Sequence, residues 1–195
     1  MNTWTFDKSV ADRFMEEART NIPDYERVIQ LCIDIAKQKQ FENSKIIDVG
    51  SALGYTIKRF IDNGFINTEG VDNSQAMIDS EYNMAKGKVI LSDKFPDKKY
   101  DMVLANWTLH FVENRLEYIL SIYNSLNSGG VFILSDKTKQ SEILKNLYYD
   151  FKLQNGIHYD YIIKKEKSLE GYMDVYSSLW YLDVLRAVGF KDIQI

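Results

Sequence analysis

A chain of 195 residues is long enough for one folded unit with a full hydrophobic core. With 45% hydrophobic residues, ten glycines and two prolines it has no room for a long disordered linker, and it carries no internal repeat or low-complexity tract. A formal charge of −4 argues against a dedicated, non-specific nucleic-acid binder. The one basic run, Lys164-Lys165-Glu166-Lys167, is flanked by Asp160 and Glu170 and reads as a solvated face.

Met1-Asn2-Thr3-Trp4 lacks the basic flank and apolar stretch of a secretory signal, and no apolar run reaches membrane-spanning length. The cytoplasm is therefore the expected compartment, with no membrane partner. Ile22-Pro23-Asp24 starts a helix in which Tyr25, Val28, Ile29, Cys32, Ile35 and Ala36 recur at helical spacing to about Gln40. Cys32 lies on that apolar stripe, which predicts a buried structural thiol. A single cysteine allows no intramolecular disulfide and suits a reducing compartment.

Lys45-Ile46-Ile47-Asp48-Val49 reads as a buried strand closed by Gly50-Ser51-Ala52-Leu53-Gly54, followed by a helix from Tyr55 to Asn63. The alternation continues with a strand at Thr68–Asp72 and a helix from Ser74 to about Ala85, capped by Ser74 or Asn73. Strands follow at Val89–Leu91 and Tyr100–Ala105, then a helix from Arg115 to Leu126 closed by Asn127-Ser128-Gly129-Gly130, then a strand at Val131–Ser135. Five short apolar strands, mostly separated by helices, predict an α/β protein with a doubly wound, mostly parallel, Rossmann-like sheet. Residues 139–188 read as helical and Tyr-rich, and Lys191–Ile195 as the start of a sixth strand with none after it. The expected organisation is a single domain over 1–195: a helical cap (1–44), a core ligand-binding half (45–136) and substrate-side helices (137–195).

Ligands of open parallel sheets bind beyond the carboxyl ends of the strands. The first strand delivers D-x-G-x-x-x-G at Asp48, Gly50 and Gly54, where glycines allow a tight turn and a close approach of the backbone. The dinucleotide pattern G-x-G-x-x-G is absent, which disfavours an NAD-dependent oxidoreductase. A nucleoside without phosphate fits better, and the Asp48 carboxylate suits a cationic ligand. Asp72, twenty-two positions after Gly50, is placed to accept from both ribose hydroxyls, and Asp93 from an adenine amino group. Asn106 ends the fourth strand. His110 is the general-base candidate by chemistry, but Leu109, Phe111 and Val112 beside it favour a packed histidine. His158 has no identifiable partner. Trp107, Tyr172 and Trp180 are candidates to line a pocket, although aromatics at helical spacing usually belong to a core. No metal site is expected.

In order and spacing, IIDVGSALG, GVDNSQAMI, LSD, VLANWTLHFV and LNSGGVFILSD resemble the class I S-adenosylmethionine (AdoMet)-dependent methyltransferases. WTFDKSVADRF with NIPDY, NWTLHFVE and YYDFKLQNG resemble, more narrowly, the carboxy-S-adenosylmethionine synthase family, long described as tRNA uridine methyltransferases. The resemblance implies that AdoMet or its carboxylated derivative is the cofactor. It implies that Gly50, Ser51 and Ala52 run along its methionine part and that Asp72 holds the ribose. Asn73 would lie beside the adenine, Asp93 and Lys94 along its edge, and Asn106 and Tyr25 over the ligand from the substrate side. It also implies a homodimer formed through the later helices.

The narrow family holds an extra carboxylate with an arginine, and that position here is Glu166, a residue that would repel it. Lys165 or Lys167 is the available substitute, without the two-pronged geometry of a guanidinium. Class I folds also end in an antiparallel hairpin absent here, which predicts a shortened chain or an edge of the fifth strand covered by a partner. The expected activity is methyl transfer from AdoMet to an unidentified small-molecule or RNA acceptor. Trp107, His110, Lys165 and Lys167 stand on the substrate side, and tRNA is at most an indirect partner. Two alternatives are carboxy-AdoMet synthesis from prephenate and a non-catalytic AdoMet-binding subunit.

Overall fold

The computed structural model describes residues 5–195; Met1–Trp4, including the tryptophan that opens WTFDKSVADRF, lie outside the described residues. Helices α1 (Lys8–Ala11), α2 (Phe14–Asn21) and α3 (Tyr25–Gln38) precede the sheet. Asp7 starts α1 by accepting the Val10 N–H at 3.1 Å. Pro23 and the left-handed Asp24 (φ 55°) turn the chain into α3, whose stripe of Ile29, Cys32, Ile33 and Ala36 is fully buried. Burial of Ile29 and Ile33 contributes roughly 1.5–3 kcal/mol each, more than their modest helix preference costs.

The sheet contains β1 (Ile46–Val49), β2 (Thr68–Asp72), β3 (Val89–Leu91), β4 (Tyr100–Asn106) and β5 (Leu126–Ser135) in the order β3-β2-β1-β4-β5. All four pairings are parallel. Between the strands run α4 (Tyr55–Asp62), α5 (Gln75–Asp79) and α6 (Arg115–Ser125); α7 (Glu142–Gln154), α8 (Tyr159–Ser168) and α9 (Ser178–Val188) follow β5. Successive strand side chains point to opposite faces. Ile46, Met102 and Leu104 pack with α3 and with Phe60 and Phe65. Ile47, Val49, Val103 and Ala105 pack with Ile119 and Ile122 of α6 and Tyr181 of α9. Strand order reverses between β1 and β4, which opens a crevice at their carboxyl ends.

Three elements differ from the sequence reading. The helix expected over Ser74–Ala85 stops at Asp79, because Ser80 turns extended (ψ 139°) and Asn83 takes over the backbone groups beyond it. The Asn83 side chain donates to the Met77 and Ile78 carbonyls and accepts from the Ala85 N–H. Asn127–Gly130 falls inside β5 as a register shift between the pairs Tyr100–Leu126 and Met102–Val131. Lys191–Ile195 forms no strand, so the described sheet is entirely parallel, with β5 at one edge.

Gly54 shows why the loop after β1 needs glycine for packing. Its φ is +70°, and a Cβ there would stand 2.4 Å from the Ala85 Cβ. Gly54→Ala is expected to lower stability by about 2–4 kcal/mol through left-handed strain and overpacking, read as a shifted urea midpoint at unchanged slope. An unchanged midpoint would mean that the 80–88 segment yields freely.

Candidate active site

A cavity of about 880 Å³ opens at the carboxyl ends of the strands and continues under α7 and α8. Its floor is the turn after β1. The Gly50 and Ser51 N–H groups both donate to the Val71 carbonyl, at 2.8 and 3.2 Å, which folds the chain back over β2. Gly50 has φ +66°, and a Cβ there would stand 2.3 Å from Thr108 Oγ1. Thr108 is fixed in turn, donating to the Val49 and Asn106 carbonyls.

Two carboxyls stand at this end, Asp48 buried and Asp72 half-buried. Asp72 accepts the Ala52 and Ser74 N–H groups, both at 2.8 Å, and burial still pushes its pKa up. Asp48, 3% exposed, is pushed up to about 8 by burial and by the neighbouring Asp72, against a hydrogen bond with Thr56. Ser51 Oγ and Asn106 Oδ1 are buried with no hydrogen-bond partner among the described residues, and both residues line the cavity. Unpaired buried polar atoms are costly and call for an explanation. Trp107, at φ 54°, tilts against Tyr25 with ring centroids 5.0 Å apart, and Tyr25 stacks in turn on Tyr55.

His110 leaves β4 through a short 3-10 turn and reaches across to β5. Its Nδ1 donates to Asp136, whose other carboxylate oxygen accepts the Tyr181 hydroxyl. Nε2 has no hydrogen bond among the described residues, and the ring lines the cavity. The histidine is packed, as its neighbours imply, but it is also oriented by a carboxylate.

The far wall comes from α7, α8 and the segment after β5, and it brings Lys137, Lys145, Tyr148, Lys152 and Lys165 to the cavity. Lys165 is paired with Glu17 of α2. Glu166 accepts from Tyr149 and pairs with Lys145 at 2.8 Å. Burial would raise the Glu166 carboxyl, but the Lys145 and Tyr149 hydrogen bonds bring it below the ordinary glutamate value.

Of the residues singled out from sequence, Tyr25, Asp48, Gly50, Ser51, Ala52, Asp72, Asn73, Asp93, Asn106, Trp107, His110, Lys165 and Tyr172 line this one cavity. Gly54, Lys94 and Lys167 do not. Gly54 packs on Ala85, and Lys94 and Lys167 are exposed. His158 is the exposed N-cap of α8. Trp180 is core, stacked on Tyr176 with the Arg115 guanidinium over both rings. Asp136, Lys137 and Lys152 also line the cavity, and the sequence does not single them out. Asp136 is marked only by its place just after the last strand; the lysines have no signal, because only the helix packing turns them inward.

A family model described as a methyltransferase domain matches residues 16–195. Carboxy-S-adenosyl-L-methionine synthases of Nautilia profundicola and Staphylococcus epidermidis are each 32% identical to this chain over 97% of its length, covering 88% and 90% of theirs. SAM-dependent methyltransferases of Thermotoga maritima and Archaeoglobus fulgidus share the fold at TM-scores of 0.61 and 0.60, with 19% and 17% identity. The matches span 95% and 93% of this chain and 80% and 75% of those chains.

Fold and relatives together define an AdoMet-dependent transferase with a class I, Rossmann-like sheet and AdoMet as cofactor. More narrowly, the chain belongs to the methyltransferase-domain family alongside the carboxy-S-adenosyl-L-methionine synthases. No helix among the described residues is long and apolar enough to cross a membrane.

Proposed function

We propose that this chain makes carboxy-AdoMet, joining a carboxyl group from prephenate to the methyl carbon of AdoMet in place of one methyl proton, while the rest of prephenate leaves as phenylpyruvate and its ring hydroxyl departs with that proton as water. The observation that carries the reading is electrostatic: one cavity joins an acidic, glycine-floored end to a wall rich in lysine. The acidic end suits AdoMet, because the Gly50 floor admits a ligand close to the backbone and the orphaned Ser51 Oγ and Asn106 Oδ1 await a partner. Asp72 and Asp48 supply acceptors for a diol and a counter-charge for a sulfonium or ammonium. When bound, AdoMet supplies a methyl carbon activated by its sulfonium. The chain's own residues then position and protect: Tyr25 and Trp107 offer aromatic faces that exclude water, and His110 Nε2 stands ready to take a proton. The basic wall suits a donor that carries carboxylates.

The test is mass spectrometry of the protein incubated with AdoMet and prephenate. A product heavier than AdoMet by one CO2 is expected. The second reading, ordinary methyl transfer, is favoured by Glu166 at the position where the family places an arginine. It would replace the first if S-adenosylhomocysteine formed with an acceptor and no carboxylated product did. Retention of AdoMet without either product would leave a binding subunit. A homodimer through the later helices is part of the same reading, supported by the exposed Leu116, Leu120, Ile143 and Leu147, and light scattering in solution checks it. tRNA enters only as the later destination of the product.

Asp48 gives this reading a pH signature. Ligand-free, its carboxyl holds a proton up to about pH 8, whereas a bound cation would favour the carboxylate. AdoMet binding is therefore expected to release a proton below about pH 8 and to tighten as pH rises towards 8, by at most about tenfold per unit. Calorimetry in buffers of different ionisation enthalpy measures that proton, and Asp48→Asn should abolish the Asp48 part. By the same sign, the ligand-free protein loses stability as pH rises from the ordinary carboxylate range to about 8, because the unfolded chain gives up this proton first. Equal proton release in wild type and Asp48→Asn would remove Asp48 from the site.

A further inference from the structure

Five lysines line the far half of the cavity; Lys139 among them is exposed, and of the other four only two have an acidic partner. Lys165 is held by Glu17 and Lys145 by Glu166. Lys137, two residues beyond β5, and Lys152, late in α7, make no ion pair among the described residues, although both are half-buried. They approach the same ring. Lys137 Nζ lies 5.8 Å and Lys152 Nζ 4.2 Å from the Tyr148 centroid. That ring is fixed, because the Tyr148 hydroxyl donates to the Asn21 carbonyl at the end of α2 at 2.9 Å.

We infer that Lys137 and Lys152, on the platform of Tyr148, form a carboxylate subsite that receives the reacting carboxyl group in place of the arginine this chain lacks. The inference rests on the carboxy-transfer reading and names the residues that would serve it. Two half-buried ammonium groups with no ion pair of their own, offset only by the shared and more distant Glu166, are unfavourable, and an anion reaching both relieves them. The burden already registers. Burial, followed by the charges of Lys137 and Lys165, pushes Lys152 down to about 8. Lys137 is lowered by burial and by Lys145, while Glu166 opposes. The acids nearby are committed: Glu17 to Lys165 and Tyr161, Glu166 to Lys145 and Tyr149. Lys137 also directly follows Asp136, so an anion held there lies beside the segment that orients His110. Lysine ammoniums hold a carboxylate as point charges, without the planar fork of a guanidinium, and two of them around one fixed ring restore a defined position.

Prephenate and AdoMet are the probes, each titrated separately into wild type, Lys137→Met, Lys152→Met and Lys167→Met by calorimetry. Each of the first two substitutions is expected to weaken prephenate binding by roughly 10- to 100-fold, the loss of one charge-assisted contact. AdoMet affinity should stay within a few-fold, and Lys167→Met should match wild type for both ligands. If AdoMet affinity falls in parallel, the lysines serve the methionine carboxylate and the proposal is overturned; unchanged prephenate binding overturns it equally.

A measurement on the unaltered protein guards against a variant that fails to fold. Lysine side-chain NMR should show the Lys152 titration midpoint rising when prephenate is added, with Lys137, Lys145, Lys165, Glu17, Glu166 and Tyr149 the titratable groups around it. No rise overturns the subsite. Prephenate binding lost in both variants while wild type forms no carboxylated product would leave the subsite standing and remove the proposed reaction. Product formed by wild type with prephenate binding unchanged in the variants would do the reverse.

Discussion

His110→Asn is expected to leave AdoMet binding nearly unchanged and to lower turnover by about 10²- to 10⁴-fold, the usual contribution of a positioned general base. The expectation follows from which nitrogen is engaged. Asp136 engages Nδ1, which leaves Nε2 as the ring nitrogen facing the cavity. Tyr181 donates to the second oxygen of Asp136 and so fixes the carboxylate as well as the ring. The side chains of His110 and Asp136 are 6% and 2% exposed, so bulk water does not compete for either. Carboxyl transfer requires a proton to leave the methyl carbon, and methyl transfer to an O–H or N–H acceptor requires one to leave the acceptor. The same base serves both reactions. Asp136→Asn provides the positioning test: nitrogen-15 NMR of the imidazole should show protonated Nδ1 in wild type and a changed tautomer population in the variant. Wild-type single-turnover rates in His110→Asn would reduce the histidine to a packing residue.

The legibility of this site in the sequence followed backbone logic. The loop after β1, Asp72 at the end of β2 and Asn106 at the end of β4 could be read because strand ends gather at one rim whatever the side-chain packing. Cys32 was readable for a similar reason, since a 3.6-residue stripe fixes which face of α3 is buried. Gly54 and Lys94 fall outside the cavity lining, because sequence proximity to a ligand loop does not say which way a residue faces. Gly54 turns towards Ala85, and Lys94 turns outward. Periodicity alone overextends the helix after β2, because its apolar residues continue past Asp79, while the capping chemistry of Asn83, which ends it, leaves no periodic trace. The lysine wall was least legible. Lys137, Lys152 and Lys165 come from three separate segments, and Glu17, which neutralises Lys165, lies 148 positions away.

Asp72→Ala should weaken AdoMet binding by roughly 10- to 100-fold, the equivalent of losing hydrogen bonds to a charged acceptor. The complication is that Asp72 already holds the loop, accepting the N–H groups of Ala52 and Ser74. Ala52 sits at φ 46°, an unfavourable conformation that the Asp72 contact helps to maintain, so alanine could weaken binding by loosening the floor alone. A cycle that alters the ligand as well as the protein separates the two effects. S-adenosylhomocysteine and its 2′-deoxy analogue are titrated into wild type and Asp72→Asn; asparagine keeps a carbonyl oxygen for the loop and gives up the charge. If the carboxylate binds the diol, removing the hydroxyl should cost affinity in wild type and much less in the variant. Equal costs in both proteins would mean that Asp72 only shapes the loop, and the ribose would then have to be sought nearer Asn73 and Asp93, which line the same cavity.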